Sequence, residues 1–140
     1  MNLIEANLGS DEGGRVIRFG NQTLPVGPAL AARIAELAEG TYTLGVRPQH
    51  LSIASANAPG TLEGKIIHVE FLGHEVYLHV NVEGRNIIVV VPAADFDRTR
   101  VGDNSIRLSP HEDRLHLFDI ENGRNVSLGD GTSINNGRKQ

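Results

Sequence analysis

Hydrophobic and polar residues alternate with a period of two along most of the chain, and glycines punctuate the alternation. Leu3 to Leu8 and Arg15 to Phe19 read as short strands around the turn Gly9-Ser10-Asp11-Glu12-Gly13-Gly14, and Gln22 to Leu24 adds another before Pro25. Pro28 to Ala38 is the one stretch with convincing helical spacing. Pro28 suits a first turn, Leu30, Ile34 and Leu37 share a face, and Gly40 closes it. Tyr42 to Val46 and, after Pro48, Leu51 to Ile53 return to the strand pattern; the small, polar run Ser55 to Gly60 is a loop.

The clearest signal follows. Leu62 to Leu72, His74 to Val82 and Arg85 to Val91 form three strands joined at Gly73 and at Glu83-Gly84. In the middle strand Val76, Leu78, Val80 and Val82 point one way and Glu75, Tyr77, His79 and Asn81 the other, the pattern of a half-buried antiparallel strand. The third strand is apolar on both faces, which predicts a central position or pairing against a second protein surface; Pro92 stops it. Asp95 to Arg100 is a connector, and Ser105 to Leu108 and Arg114 to Phe118 are the last short strands. Beyond Gly123 the chain has almost nothing to bury, so a domain over 1–123 and a flexible tail over 124–140 are expected. Many short strands with glycine turns and one short α-helix predict a mainly β chain closed, or nearly closed, into a small barrel.

Composition narrows the partners. With 39% apolar and 21% charged residues the chain is globular, and without cysteine it has no disulfide, thiolate metal site or cysteine nucleophile. Glu5, Asp11 and Glu12 interrupt the start where a secretory signal would be apolar, and Ile87 to Val91 falls far short of the ~20 residues that span a bilayer. The expectation is a soluble, cytosolic protein. A net charge of −4, scattered Lys and Arg, and only 4% aromatic residues disfavour nucleic acid as a partner.

Chemistry is sparse. Gly60-Thr-Leu-Glu-Gly64-Lys65-Ile66 has three residues between its glycines, Ile where a phosphate loop needs Ser or Thr, and a strand where it needs a helix, so it reads as a turn. His74 and His79, five apart, point to opposite faces of a strand, and His111 and His116 have no carboxylate at ligand spacing, so neither metal nor cofactor is expected. His74-Glu75 diverge as strand neighbours, and no catalytic nucleophile is identifiable. Two clusters stand out. Thr43 to Leu51 is a strand exit stiffened by Pro48, carrying Arg47, Gln49 and His50. Val69 to Tyr77 is a hairpin whose tip displays Phe71, Gly73, His74 and Glu75. Together these seven residues are the candidate contact or recognition surface. The bland alternative is barrel-end geometry with Arg47 in a surface ion pair worth about 0–1 kcal/mol.

Leu44 to Leu51 closely resembles the "GIRPEH" block in the C-terminal domain of sugar-importer ABC ATPases of the maltose and glycerol-phosphate type, with Gln49 where the family usually has Glu. Gly64 to His79, Val101-Gly102-Asp103 and Arg114 to Asp119 resemble that family's following blocks, and Met1-Asn2 looks like its junction after the nucleotide-binding domain. The similarity runs in order over residues 1 to 123. It implies a transport-associated OB-fold (TOBE-like) domain of small β-barrel modules, which in the family follows the ATPase domain, pairs with its twin across a two-fold axis and receives regulatory partners. The implied partners are a twin ATPase subunit, the chain's own nucleotide-binding domain, the permease subunits indirectly, and a regulatory protein. The implied place is the cytoplasmic face of the plasma membrane. The chain has no Walker A or ABC signature, so it is expected to be a non-catalytic C-terminal fragment of an ATPase rather than a free-standing protein. The alternative is a small-ligand sensor for an oxyanion or a sugar, since OB-like domains of molybdate importers bind an oxyanion.

Overall fold

The alternation folds into ten strands and one helix among the residues described by the computed structural model: 1–55, 58, 60–96 and 104–128. In chain order they are β1 (Asn2–Asp11), β2 (Gly14–Phe19), β3 (Gln22–Pro25), α1 (Pro28–Arg33), β4 (Gly40–Val46), β5 (Leu51–Ala54), β6 (Leu62–Leu72), β7 (Glu75–Val82), β8 (Arg85–Pro92), β9 (Ser105–Pro110) and β10 (His116–Asp119). They form two antiparallel sheets, a first of order β10-β4-β1-β2-β3 and a second of order β5-β9-β6-β7-β8. The connector beyond Phe96 and the Val101-Gly102-Asp103 block lie outside the described residues, as do 129–140.

Period-two burial explains the layering. Asn2, Ile4, Ala6 and Leu8 of β1 are buried while Leu3, Glu5 and Asn7 face out, and in β7 Val76, Leu78, Val80 and Val82 are all sealed. The buried faces of both sheets, with Leu30 and Ile34, merge into one apolar core. Each fully buried Leu or Val contributes about 1.5–3 kcal/mol to it.

Side-chain amides join the sheets where no strand can. Asn2 donates from Nδ2 to the Ile88 carbonyl at 2.8 Å and accepts the Ile88 N–H at 2.9 Å, doing for β8 what a neighbouring strand would do. Gln22 repeats the device on β6, donating to the Glu63 carbonyl at 2.7 Å and accepting its N–H at 2.8 Å. Glu83, in the β7–β8 turn, accepts the Asn21 N–H at 2.9 Å and the Gln22 amide at 3.0 Å. Those two bonds hold its carboxyl below the usual carboxylate range.

Several elements depart from expectation. The strand over Arg85 to Val91 is not central: β8 pairs only with β7 and lies at the edge. Its second apolar face is only half-covered, at Ile88 and Val90, while Asn2 bonds its open edge and the turn at Pro48–His50 lies beside it. The helix ends at Arg33 rather than Ala38, since Ile34 leaves helical geometry and Arg15 takes the Ile34 and Leu37 carbonyls at 2.6 and 2.7 Å. Its first turn is held by Glu112, which accepts the Leu30 N–H at 2.7 Å. β1 runs on through Gly9 to Asp11, leaving only Glu12 and Gly13 as the turn. β10 starts at His116, because Glu112–Arg114 forms a 3₁₀ turn.

Residues 125–127 pack against the first sheet and the helix. Asn125 bridges to Phe118, Ser127 is 0% exposed and accepts the Leu117 N–H through its hydroxyl, and Arg33 binds the Ser127 carbonyl.

Candidate functional site

Pro48 shapes the first cluster. It holds Arg47 extended and opens a 3₁₀ turn over Pro48–His50, closed by the His50 N–H on the Arg47 carbonyl at 2.9 Å, before Leu51 buries itself at the start of β5. Arg47 and Gln49 are exposed. His50 is half-covered, yet its Nδ1 is sealed from water with no hydrogen-bond partner among the described residues. That loss of solvent lowers its pKa; Arg114, His111 and Arg47 add to the effect and Asp113 opposes it. The His50 carbonyl accepts the His111 N–H at 2.9 Å, which sets a second 3₁₀ turn, Glu112–Arg114, beside the first. His116 follows the same physics: burial first, then Arg33, Arg47, His50 and Arg114, lower its pKa. Its Nδ1 lies 3.2 Å from the Asn125 amide. This end of an acidic chain is rich in cationic groups.

The second cluster is a tight hairpin end. Leu72 pairs with Glu75 across Gly73 and His74, and Gly73 has the positive φ, +68°, that its sequence position implied. The His74 carbonyl accepts the Ala93 N–H at 2.7 Å, and Phe71 meets Phe96 edge-on with ring centres 6.1 Å apart. Phe71 and Leu72 are each 54% exposed.

The two clusters stand on opposite sides of the end of β8. Glu75 pairs with Pro92 from the β7 side, while Gln49 and Pro92 line a recess on the other side. Ser52, Asp95 and His111 line the same recess; no sequence motif joins them, because they arrive from separate strand ends, and His111 drew notice only as a metal-ligand candidate. Ser52 Oγ and His111 Nε2 are 2.7 Å apart, the spacing of a nucleophile and a base. No carboxylate is hydrogen-bonded to His111 Nδ1 among the described residues, so the group that would orient such a base is missing there. Glu70 and His79 form a further pair at 2.9 Å, with His68 beside His79. No group of three or more His, Asp or Glu among the described residues is arranged to hold a metal ion.

Residues 44–118, from the end of β4 to β10, match the family model described as TOBE domain. The chain belongs to the TOBE domain family. It is 31% identical over 129 residues to the ABC transporter ATP-binding protein y4oS of Sinorhizobium fredii, covering 91% of this chain and 31% of that protein. It is 33% identical over 108 residues to the sn-glycerol-3-phosphate import ATP-binding protein UgpC of Ruegeria pomeroyi, covering 77% of this chain and 29% of the relative. Over 77 residues it is 35% identical to the maltose/maltodextrin import ATP-binding protein MalK of Vibrio parahaemolyticus, covering 54% and 20%. The domain thus spans about a third or less of the length of these relatives. Its fold is similar to that of the cytoplasmic molybdate-binding protein ModG, with a TM-score of 0.58 and 17% identity over 83% of this chain and 94% of that one. The OB-like, mainly β fold with one short helix is therefore established, and no helix among the described residues is long and apolar enough to cross a membrane.

Proposed function

We propose that this domain is the non-catalytic regulatory and dimerisation part of the ATP-binding subunit of an ABC sugar importer, working at the cytoplasmic face of the membrane. The observation that carries the reading is the alignment of 77–91% of the chain with ATP-binding subunits of importers and other ABC transporters. Its partners on this reading are a nucleotide-binding domain, a twin subunit, the permease subunits through them, and a regulatory protein. Arg47, Gln49 and His50, with Phe71, Gly73, His74 and Glu75, are the contact surface: rigid backbone at a strand exit and a hairpin tip presents polar groups on both sides of β8.

The test is a chimera. This chain replaces the aligned segment of UgpC from Ruegeria pomeroyi, and ATPase activity, subunit pairing and glycerol-phosphate import are measured. The reading expects a paired, active chimera in which Arg47→Ala or His74→Ala changes the coupling of hydrolysis to import. A folded chimera that neither pairs nor supports import contradicts it. The isolated chain is expected to bind no ATP by calorimetry.

A further inference from the structure

The second sheet curls until its edge strands, β5 and β8, approach each other without hydrogen-bonding. Both run in the same direction, because every step of the order β5-β9-β6-β7-β8 is antiparallel. Ladder alternation decides which backbone groups look into the seam. Ile88 gives its N–H and C=O to Asn2 instead of β7, so Val90, two residues on, also turns both groups outward. On β5, the His50 carbonyl bonds His111, so Ser52 faces β9 while Leu51 and Ile53 turn outward. The seam opens into a cavity of about 630 Å³ walled by those three outward residues together with Gln49, Asp95 and His111.

We propose that this seam binds a neutral, polyhydroxylated small molecule of sugar size. The volume lies within the ~300–1,000 Å³ of small-molecule pockets. The donor set then selects the class. The Asp95 carboxylate only accepts, the Gln49 amide both donates and accepts, and the seam-facing N–H and C=O groups of Ile53 and Val90 have no partner among the described residues. A vicinal diol satisfies such a set, because each hydroxyl donates once and accepts as well. The Ser52–His111 pair can take a further hydroxyl, and the Val90 and Pro92 side chains offer apolar surface to C–H groups. An oxyanion fits poorly, since the described lining has a carboxylate and no Lys or Arg, and like charges brought together repel.

The site does not depend on the ATP-binding-subunit reading and is tested on the chain alone. The ¹⁵N-labelled chain is titrated with maltose and glucose and, in parallel, with sulfate and molybdate, while backbone amide signals are followed. One or both sugars should saturate shifts at Ser52, Ile53, Val90 and Asp95, and the oxyanions should leave those amides unmoved. Gln49→Ala and Asp95→Ala replace exposed residues, so the fold should persist while each weakens sugar binding by about tenfold or more. Three results overturn the proposal: no saturable shift with either sugar, saturation of the same amides by an oxyanion, or undiminished sugar affinity in the folded variants. Failure here leaves the chimera test untouched, and failure of the chimera leaves the site standing.

Discussion

The first sheet ends in β3 and β10, each four residues long, and residues 124–127 cover β10 from outside. The second sheet ends on one side in β8, eight residues long and apolar on both faces. A long apolar edge is a template for unwanted strand pairing. Here the first sheet blunts it: Asn2 occupies the open hydrogen-bonding groups of Ile88, and the Pro48–His50 turn packs against the strand. Beyond Ile88 the amide clasp ends and the seam begins. One sheet finishes itself with short strands, whereas the other is finished partly by its neighbour. The unfinished part is where polar side chains from distant segments gather.

The comparison can be broken at several strengths. Leu78→Ala empties a 0% exposed position at the heart of the second sheet and should cost about 2–5 kcal/mol by urea unfolding. Asn2→Ala should cost about 1–3 kcal/mol, since Asn2 is 7% exposed and its loss strands both polar groups of Ile88. Gln22→Ala removes the same kind of clasp from an exposed site and should cost about 0.5–1 kcal/mol, because water can replace the amide. Equal costs for the two amides would mean that β8 does not depend on cover.

Acid should act on the end where the two 3₁₀ turns meet. The His50 pKa is lowered by burial of Nδ1 and by Arg114, His111 and Arg47, so the folded chain favours neutral His50. Its contribution to stability is present above the ordinary value of 6.5 and is lost as pH falls through the lowered pKa. NMR titration of His50 should find its midpoint below 6.5; a midpoint at or above 6.5 would mean that Nδ1 is solvated. Arg47→Ala and His74→Ala, both exposed, should change stability by only about 0.5 kcal/mol or less.

Local alternation made the β7 core face and the Gly73 turn legible from sequence, because each depends on residues adjacent in the chain. The place of β8 was not legible: a two-sided apolar run suggests a central strand, and only the folded chain shows an edge strand whose open backbone groups Asn2 binds from 86 positions away. The helix was overrun for a similar reason, since Arg15, outside its pattern, ends it. At the candidate site, Arg47 and the hairpin tip announced themselves through Pro48 and Gly73. Asp95 and His111 had no such marker and became neighbours of Gln49 only through the curl of the second sheet.

Amide hydrogen exchange along β8 tests this account most directly. Ile88 donates its N–H to Asn2, whereas the N–H of Val90 faces the seam. The account predicts that Ile88 exchanges slowly, that Val90 exchanges much faster, and that Asn2→Ala speeds Ile88 while leaving Val90 nearly unchanged. Equal protection of Ile88 and Val90 in the unaltered chain would contradict it, because β8 would then be paired along its whole length and no open seam would exist.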